Sequence, residues 1–591
     1  MPPQKRIRRR RRPIVWTAVA LLALTVVTGV ALALDARTAY ARLTAVAEGA
    51  TALQERVVAG DVEGAGERAA RMRADAATAR EALHGPHWWL AARVPALGPN
   101  VEAVRTVSVV ADDLASGPLE DLLGAVAAVD PASLAPMEGR VDVAPLADAA
   151  PHLTSAAQAL AEADARVEGI DAAALAEPLR DRLARLAGQV DTMRALSDTA
   201  ARAARLVPAM MGADGPRDYL LLVQNNAEPR ATGGVTGAVI HLRTEDGAVE
   251  LVEHRAAGGF GKFEEPVLPL TDSELGLYSP LLGQYMGDVN FTPDFPRTAE
   301  LTREMWRQKT RTEVDGVLSV DPGALQHLLA ATGPVTLPSG DVLTAQNTAR
   351  TLLNDVYLRF PEPADQDAYF ETAAATIFDH VLGGGADPAG VMRALDTAAD
   401  QGRLLAWSAH EDEQRLLAGT TLSGELRGHT GASPVVGVYL NDRNGAKIGY
   451  YQRVAAEVVA AGCRPDGARE LSLEVTVSSD APENYASLPD YVTGAGNYVP
   501  KGAMETTVTV YAPTGGTITD ARSSADDASY LPQLHEGLAV GAYTVRLGPG
   551  ESVTLGYDIA LAPGLPGELL TRMTPGPAED AFTFSTAGCG G

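Results

Sequence analysis

The sequence predicts a mixed α/β protein made of consecutive parts: a transmembrane helix, an α-helical stalk, a central α/β sandwich and a C-terminal antiparallel β-sandwich. Three observations predict this order. A run of 21 uncharged residues lies near the amino terminus, helical spacing of apolar residues follows it, and strand patterns fill the remainder, first alternating with helices and then alone. With 591 residues, of which 46% are apolar, the chain can form several hydrophobic cores.

The first 34 residues predict a single-pass membrane anchor. Residues 1–13 form a basic tail, and Ile14–Leu34 carries no charge. A helix of these 21 residues, rising about 1.5 Å per residue, spans the roughly 30 Å hydrocarbon core of a bilayer. The preceding positive charges predict that the amino end stays in the cytoplasm. A cleaved signal peptide is the alternative, since Ala31 and Ala33 offer small residues, but such peptides have a shorter apolar core.

Charge and cysteine content exclude several classes of protein. The formal net charge is −26. When the seven basic residues between positions 5 and 12 are set aside, 42 Lys and Arg remain against 75 Asp and Glu, so the part predicted to be exported carries −33. Nucleic acid is therefore not expected as a partner, because phosphate binding needs a basic face. Two cysteines exclude a disulfide-rich scaffold and a four-cysteine zinc site.

Residues 35–210 predict an extracytoplasmic bundle of about four antiparallel helices. Apolar residues recur with the 4-3-4-3 spacing of a packed helix, for example at Leu179, Leu183, Leu186, Val190 and Met193. Turns are predicted where Gly and Pro interrupt this pattern, at 64–66, 84–100, 117–118 and 131–145. We expect Trp88 and Trp89 to cover one end of the bundle. The favoured interpretation is a structural support, and a partner-binding coiled coil is the alternative.

Residues 217–400 predict an α/β domain. Asp218–Gln224 is an apolar run typical of a buried strand. After the predicted strand Val314–Val320, Asp321 and Pro322 are typical of the N-cap and first position of a helix. Further strands are predicted at Val235–Leu242 and Val249–His254, and further helices at Arg297–Lys309, Thr344–Tyr357 and Asp367–Leu382. Alternation of this kind around a buried strand is typical of an α/β sandwich.

Residues 401–591 predict an antiparallel β-sandwich. Val435–Leu440 and Ile448–Val454 flank Asn444-Gly445, which is a hairpin signal. Strand-period alternation recurs at 470–478, 506–511, 542–547 and 552–559. Cys463 and Cys589 lie in this region, and an oxidising exterior permits a disulfide between them. Two unpaired thiols are the alternative.

The stretch QNNAEPRATGG at 224–234 is the strongest candidate site. The carboxamides of Asn225 and Asn226 can donate and accept, and Glu228 can bind a cation or orient an arginine. Arg230 offers a planar donor fork suited to phosphate, and Thr232, Gly233 and Gly234 can free backbone N–H groups for an anion. A polar loop that leaves a buried strand is where open α/β sheets bind ligands. The alternative is a structural turn in which the asparagines cap backbone groups.

Four stretches together resemble a bacterial envelope family known as domain of unknown function 4012. They are YLLLVQNNAEPRATGG, HWWLAARVPALGPN, VDGVLSVDPGALQHLLAATGPVTL and, at 441–453, NDRNGAKIGYYQR. The resemblance covers nearly all of the part predicted to be exported. The family name itself implies no function.

The order of elements is also similar, more remotely, to the LytR-CpsA-Psr domain, whose family transfers glycopolymers from polyprenyl-pyrophosphate lipids to peptidoglycan. In that family arginines hold the pyrophosphate, while aspartates bind a divalent cation such as Mg²⁺ and activate the acceptor hydroxyl. The resemblance implies catalytic roles for Arg230, Glu228 and Arg255, with Asp365 or Asp367 as a further acid. It implies ligand contacts from Asn225, Asn226, Thr232, Gly233, Gly234, Asn290 and Arg359.

The sequence departs from that second family at the acidic positions. Thr232-Gly233-Gly234 stands where the family has Arg-Ser-Asp, and Asn226 replaces the aspartate of the first loop. These losses leave the metal ligands unassigned. The leading prediction is a membrane-anchored cell-envelope protein that binds polyprenyl-pyrophosphate-linked glycopolymers at the outer face of the membrane and, if it is an enzyme, transfers them. The alternative is a non-catalytic envelope scaffold or binding protein.

Overall fold

A computed structural model describes residues 11–58, 61–95, 97–129, 136, 139–384, 387–463, 469–578 and 581–584 of the chain. About 49% of the residues are helical and about 24% lie in strands, so the protein belongs to the mixed α/β class. The chain forms two compact units. Residues 1–130 and 143–209 belong to the first unit, and residues 131–142 and 210–591 belong to the second.

The described part of the first unit is helical. Its helices are α1 (Arg11–Val58), α2 (Val62–Ala82), α3 (Pro86–Ala91), α4 (Gly98–Ser116), α5 (Pro118–Ala128), α6 (Ala144–Glu168) and α7 (Glu177–Met210). The predicted break at 117–118 is confirmed, because Pro118 begins α5. The break predicted at 64–66 lies inside α2, whose N-cap Asp61 accepts a hydrogen bond from the backbone N–H of Gly64.

Helix packing in the first unit uses the predicted apolar positions. Leu183 and Val190 of α7 are buried against Val110 and Val167, while Met193 at the end of the same spacing is exposed. Trp88 is buried beside Ala39 and Leu83. Its neighbour Trp89 is 53% exposed, and the guanidinium of Arg93 lies over its ring.

Helix α1 is long and apolar enough to cross a membrane, and no other helix in the described ranges meets both conditions. Within α1 the candidate span is Leu22–Leu53, which overlaps the predicted Ile14–Leu34 at residues 22–34. The 48 residues of α1 are about 72 Å long, more than twice the hydrocarbon thickness. The helix therefore continues past residue 34, where the sequence pattern predicted that the membrane-spanning helix ends. Gly29 lies inside the helix and does not interrupt it. These facts support membrane association, and the orientation stays a prediction.

The second unit begins with a five-stranded sheet in the order β3-β2-β1-β4-β7. Strand β1 is central and pairs in parallel with β4 and antiparallel with β2. The first seven strands are β1 (Arg217–Arg230), β2 (Gly233–Glu245), β3 (Ala248–Ala256), β4 (Gly316–Val320), β5 (Val335–Thr336), β6 (Val342–Leu343) and β7 (Leu404–Ser408). The helices of the unit are α8 (Asp272–Tyr278), α9 (Phe295–Thr310), α10 (Pro322–Thr332), α11 (Thr348–Arg350), α12 (Val356–Arg359), α13 (Pro363–Leu382), α14 (Pro388–Asp400), α15 (Glu411–Leu417) and α16 (Asp490–Thr493).

Helices cover both faces of this sheet. Leu220 and Leu222 of β1 point to the face on which α9 packs through Trp306. Tyr219 points to the opposite face, where α13 packs through Phe378. This alternation is the period-2 pattern of a strand buried on both sides. Two segments differ from prediction: the helix predicted over 344–357 is interrupted by a π-helical turn at Thr351–Asp355, and α13 begins four residues early, at Pro363.

The C-terminal strands form two further sheets that share one hydrophobic core. One sheet has the order β14-β15-β12-β9-β17, with β8 beside β9, and the other has the order β13-β16-β11-β10-β18. Val438, Val508, Leu473 and Leu555 are among the core residues that both sheets contribute. The strands are β8 (His429–Thr430), β9 (Ser433–Asp442), β10 (Gln452–Cys463), β11 (Arg469–Ser479), β12 (Met504–Tyr511), β13 (Thr517–Ser523), β14 (Ser529–His535), β15 (Leu538–Leu547), β16 (Ser552–Ala560), β17 (Leu570–Met573) and β18 (Ala581–Phe584).

Two predictions in this region have a different outcome. The hairpin predicted at Asn444-Gly445 does not form, because β9 and β10 belong to different sheets. The strand predicted from Ile448 begins only at Gln452, and Lys447–Tyr451 forms a 3₁₀ turn instead. The predicted disulfide lies outside the described residues, since Cys589 and the side chain of Cys463 are not among them.

Candidate functional site

The QNNAEPRATGG stretch is a bulged β-hairpin and not the loop that the sequence predicted. It forms the end of β1 and the start of β2, and the pairing register shifts between Asn225 and Pro229. Two positions of the hairpin require glycine, because other atoms of the hairpin lie where a Cβ would be. A Cβ on Gly234 would lie 2.1 Å from the carbonyl carbon of Asn225, and one on Gly233, whose φ is +140°, would lie 2.1 Å from Oε1 of Gln224. The glycines therefore close the hairpin, and the N–H of Gly234 donates to Gln224 rather than to an anion.

The asparagines of this hairpin satisfy groups inside the protein. Asn225 donates to the hydroxyl of Tyr357 and accepts from the N–H of Ala227. Asn226 is 1% exposed and donates 2.9 Å to the carboxylate of Asp321 and 2.8 Å to the carbonyl of Pro575. This arrangement fits the structural-turn alternative for both residues.

Asn290 and Thr232 join the hairpin to the segment before α9. The side-chain amide of the fully buried Asn290 donates 2.7 Å to the carbonyl of Gly234 and 3.3 Å to the Oγ1 of Thr232. Gln224 donates to the same Oγ1 at 3.1 Å. The predicted proximity of Asn290 to the hairpin is therefore present, and its polar groups hold the turn.

Five charged side chains meet behind the hairpin, and we call Glu228, Arg230, Asp288, Asp442 and Lys447 the charge cluster. Arg230 donates 2.9 Å to Asp288, and its side chain is only 7% exposed. Lys447 lies 3.0 Å from Glu228, with side chains 7% and 12% exposed. The predicted ligand groups Glu228 and Arg230 are thus paired with other residues of the chain inside the fold.

The charge cluster holds three carboxyl groups against two cations. Burial and the neighbouring Glu228 raise the pKa of Asp442 to about 7, although Arg230 opposes them. Burial also raises the pKa of Glu228, but Lys447 and Arg230 outweigh it and hold that pKa below its usual value. Because one carboxyl is in excess, Asp442 is the group that takes up a proton near neutral pH.

The charge cluster joins two stretches that are more than 200 positions apart in sequence. Arg230 and Glu228 come from the hairpin, while Asp442 and Lys447 come from NDRNGAKIGYYQR. Gly449 allows the contact, because a Cβ there would lie 2.6 Å from the carbonyl oxygen of Ala227. The sheet around β1 and the C-terminal strands are therefore connected through the segments that carry the family resemblance.

Aromatic rings cover the Glu228–Lys447 pair. Tyr357 and Tyr491 are stacked with centroids 5.6 Å apart, and the Nζ of Lys447 lies 5.5 Å and 5.9 Å from their rings. Burial is the main cause that raises the pKa of Tyr357 to about 12, so its hydroxyl stays neutral at ordinary pH. These rings keep water from the ion pair, which strengthens the attraction between its charges.

The other two predicted arginines do not join Arg230. Arg255 on β3 pairs with Glu253, and its guanidinium lies 5.5 Å from the ring of Trp306, on the α9 face of the sheet. Arg359 donates 2.7 Å to Asp341 in the β5–β6 hairpin, which packs with α13 on the opposite face. The sheet separates Arg255 from Arg359, so the three arginines to which the resemblance gave roles do not form one site.

The residues present do not fit the divalent cation that the remoter resemblance implied. In the parts of the chain that the structure describes, no group of three His, Cys, Asp or Glu side chains could hold a metal ion. Asp365 and Asp367 lie on the exposed first turns of α13, and Glu228 already pairs with Lys447. We therefore derive no chemical step through a metal.

Sequence reasoning missed Lys447, Asp288 and Asp442, which complete the charge cluster. It also missed the buried pair of Arg403 and Asp321, in which Nη1 lies 2.7 Å from the carboxylate that Asn226 contacts. Lys447 had a detectable signal, since it is one of five lysines in the sequence and lies in a stretch that carries the resemblance. The aspartates had none, because 75 acidic residues are spread along the chain.

The fold and site define a mixed α/β protein with one helix able to span a membrane and a buried ionic junction in its second unit. Residues 214–357 match the family model described as "Protein of unknown function (DUF4012)", which agrees with the resemblance seen in the sequence. The matched segment includes the hairpin and ends at Tyr357, which covers the ion pair. No curated protein and no solved structure matches the chain.

Replacement of Lys447 by Met is expected to destabilise the second unit by about 3–5 kcal/mol, because it leaves the Glu228 carboxylate buried without its partner. The double variant Glu228→Gln/Lys447→Met is expected to regain most of this loss, since neither charge remains. Urea denaturation of the purified protein in detergent measures both. Lys501→Met is the matched control: its partner Asp490 is exposed, so the loss should stay below about 1 kcal/mol. Equal losses in the Lys447 and Lys501 variants would contradict this role of the cluster.

The variant Asp442→Asn should be more stable than the wild type at pH 8.5 and nearly equal to it at pH 4. The pKa of Asp442 is raised from 3.8 to about 7, so the folded state holds a proton that the unfolded state has lost between these values. The resulting penalty grows with pH and is complete above about pH 7. Asn keeps the acceptor oxygen for the N–H groups of Asn444 and Gly445.

Urea denaturation at the two pH values measures this difference, which we expect to be about 4 kcal/mol at pH 8.5. Asp526→Asn, at an exposed position, serves as the control and should change stability little at either pH. A loss of stability at pH 8.5, or the same gain at both pH values, would show that Asp442 does not carry the excess charge.

Proposed function

We propose that this protein is a single-pass cell-envelope protein that binds polyprenyl-pyrophosphate-linked glycopolymers at the outer face of the membrane without transferring them. The proposal takes its ligand class from the LytR-CpsA-Psr resemblance, together with the expectation of an α/β domain of that kind and a supporting β-sandwich. It takes its non-catalytic character from the geometry of the charge cluster.

The anchor supports the location. A helix that can span a bilayer keeps the protein at the surface where lipid-linked precursors are held. The basic residues that precede the apolar run favour a cytoplasmic amino end, which would leave the remaining residues outside. In that arrangement, arginines that stay accessible on the acidic exterior are the natural contacts for an anionic lipid head group.

One observation favours binding over transfer. Glu228 and Arg230, the two residues to which the resemblance gives catalytic roles, are neutralised by Lys447 and Asp288 in buried ion pairs. Transfer of a phosphoryl group needs charges that are free to stabilise the transition state. Separating these pairs would leave buried charges unpaired, at a cost of about 3–5 kcal/mol. Arg255 and Arg359, whose side chains are 41% and 52% exposed, remain accessible to a ligand.

The test uses the full-length protein in nanodiscs and a polyprenyl pyrophosphate that carries a short radiolabelled glycan. We expect saturable retention of the label, which stays lipid-linked when peptidoglycan is added. Movement of the label onto peptidoglycan would establish a transferase instead. No retention of the label would refute the ligand class.

Variants of the accessible arginines locate the contact. Arg255→Ala and Arg359→Ala are measured separately, because they lie on opposite faces of the sheet, and one of them should weaken retention by about tenfold. Arg546→Ala is the matched control, since its side chain is 50% exposed and lies on β15. Arg230→Ala is unsuitable as a first test, because it leaves Asp288 unpaired and confounds binding with stability.

A further inference from the structure

A pocket of about 60 Å³ lies between the tip of the β1–β2 hairpin and strands β9 and β17. Its polar lining includes Thr232, Glu425, Arg427, Thr430 and Arg572. A cavity needs about 10–15 Å³ by this measure to hold one water molecule, so the volume suits a group of a few heavy atoms. None of these residues was assigned a role by the resemblance except Thr232.

Two arginines line this pocket, and only one of them forms an ion pair with a described residue. Arg427 pairs with Glu425 at its edge. The side chain of the half-buried Arg572 makes no hydrogen bond or ion pair with any residue that the structure describes. Burial and the proximity of Arg572 lower the pKa of Arg427, which indicates that the two guanidinium groups are close enough to repel each other. Asp294 lies near Arg427, and burial raises its pKa to about 6, so it is ionised at neutral pH and offsets the charge of the arginine less below about pH 6.

Thr232 adds a neutral donor to the same pocket. Its Oγ1 accepts from the side-chain amides of Gln224 and Asn290, at 3.1 Å and 3.3 Å. The orientation of each amide is fixed by Gly234, which donates its N–H to Gln224 and offers its carbonyl to Asn290. Because both acceptances are used, the hydroxyl proton is left to donate, and no described residue accepts it. A buried hydroxyl of this kind needs an acceptor.

We propose that this pocket binds a tetrahedral phosphate group, held by the guanidinium groups of Arg427 and Arg572 and by the hydroxyl of Thr232. Arginine forks match the geometry of phosphate oxygens and form its strongest hydrogen bonds in proteins. The phosphate would supply the negative charge that Arg572 lacks and the acceptor that Thr232 lacks. The site is separate from Arg255 and Arg359, and it does not depend on the function proposed above.

Isothermal titration of the full-length protein with inorganic phosphate, in nanodiscs and phosphate-free buffer, tests the site. The wild type should bind one phosphate per chain, and Arg572→Gln and Arg427→Gln should each weaken binding by about tenfold or more. Arg546→Gln removes the same charge from β15 outside the pocket and should bind as the wild type does. Since Arg572 has no partner to leave unpaired, its variant should melt at or above the wild-type temperature without phosphate, so a loss of binding is not a loss of fold.

Two results would overturn the proposal: no saturable binding to the wild type at millimolar phosphate, or undiminished binding to Arg572→Gln. The source of the group is found by competition. Polyprenyl phosphate in the nanodisc should displace inorganic phosphate if the pocket takes a lipid head group, and glucose 1-phosphate in solution should displace it if the pocket takes a soluble ester. Competition by either compound upholds the site.

Discussion

The second unit depends on the mutual neutralisation of buried charges between its first strand and the segment that follows β9. Lys447, in the segment that follows β9, reaches Glu228. Arg230 reaches Asp288 of the α/β part and donates to the backbone carbonyl of Asp442 at the end of β9. All these side chains are almost without solvent. Charges in such surroundings are costly unless they are paired, so each partner fixes the position of the other. The bulge in β1, the absence of a side chain at Gly449 and the 3₁₀ turn at Lys447–Tyr451 all serve this contact. The junction therefore makes the α/β part and the β strands one structure.

This constraint also changes what the family signature means. Its polar residues have the composition of a ligand site, yet Asn225, Asn226 and Asn290 bind the protein itself, and Arg230 is neutralised by Asp288. In the phosphate site proposed above, the contacts come instead from groups whose hydrogen-bonding or charge the fold leaves incomplete. The hydroxyl of Thr232, at the hairpin tip, accepts two hydrogen bonds but donates none to a described residue. The side chain of Arg572 forms no hydrogen bond or ion pair with a described residue. The signature can thus support binding indirectly, because the junction holds one wall of the pocket beside β17.

Local sequence patterns predicted much of the fold. They did not predict the features that depend on contacts between residues far apart in the sequence. The apolar run at 218–224, the Asp321-Pro322 helix start and the period of α7 are local signals, and each appears in the structure. The hairpin predicted at Asn444-Gly445 is absent. Asp442 and Lys447, on either side of this turn, instead contact the β1–β2 hairpin, which lies more than 200 residues earlier. The candidate residues of the hairpin were found for the right reason, their polarity, but polarity alone does not distinguish a ligand from an internal partner. The sequence could not show that Arg255 and Arg359 lie on opposite faces of the sheet, because this depends on the strand register and on the packing of α9 and α13.

Native-state hydrogen exchange of the wild-type protein tests the central claim most directly. The amides of Leu220–Leu222 in β1 and of Val508–Val510 in β12 report on the two parts that the charge cluster joins. If the junction makes them one cooperative unit, both sets should exchange through openings of the same free energy and the same dependence on denaturant. Exchange of the β12 amides through a separate opening of lower free energy, with β1 still protected, would contradict the account.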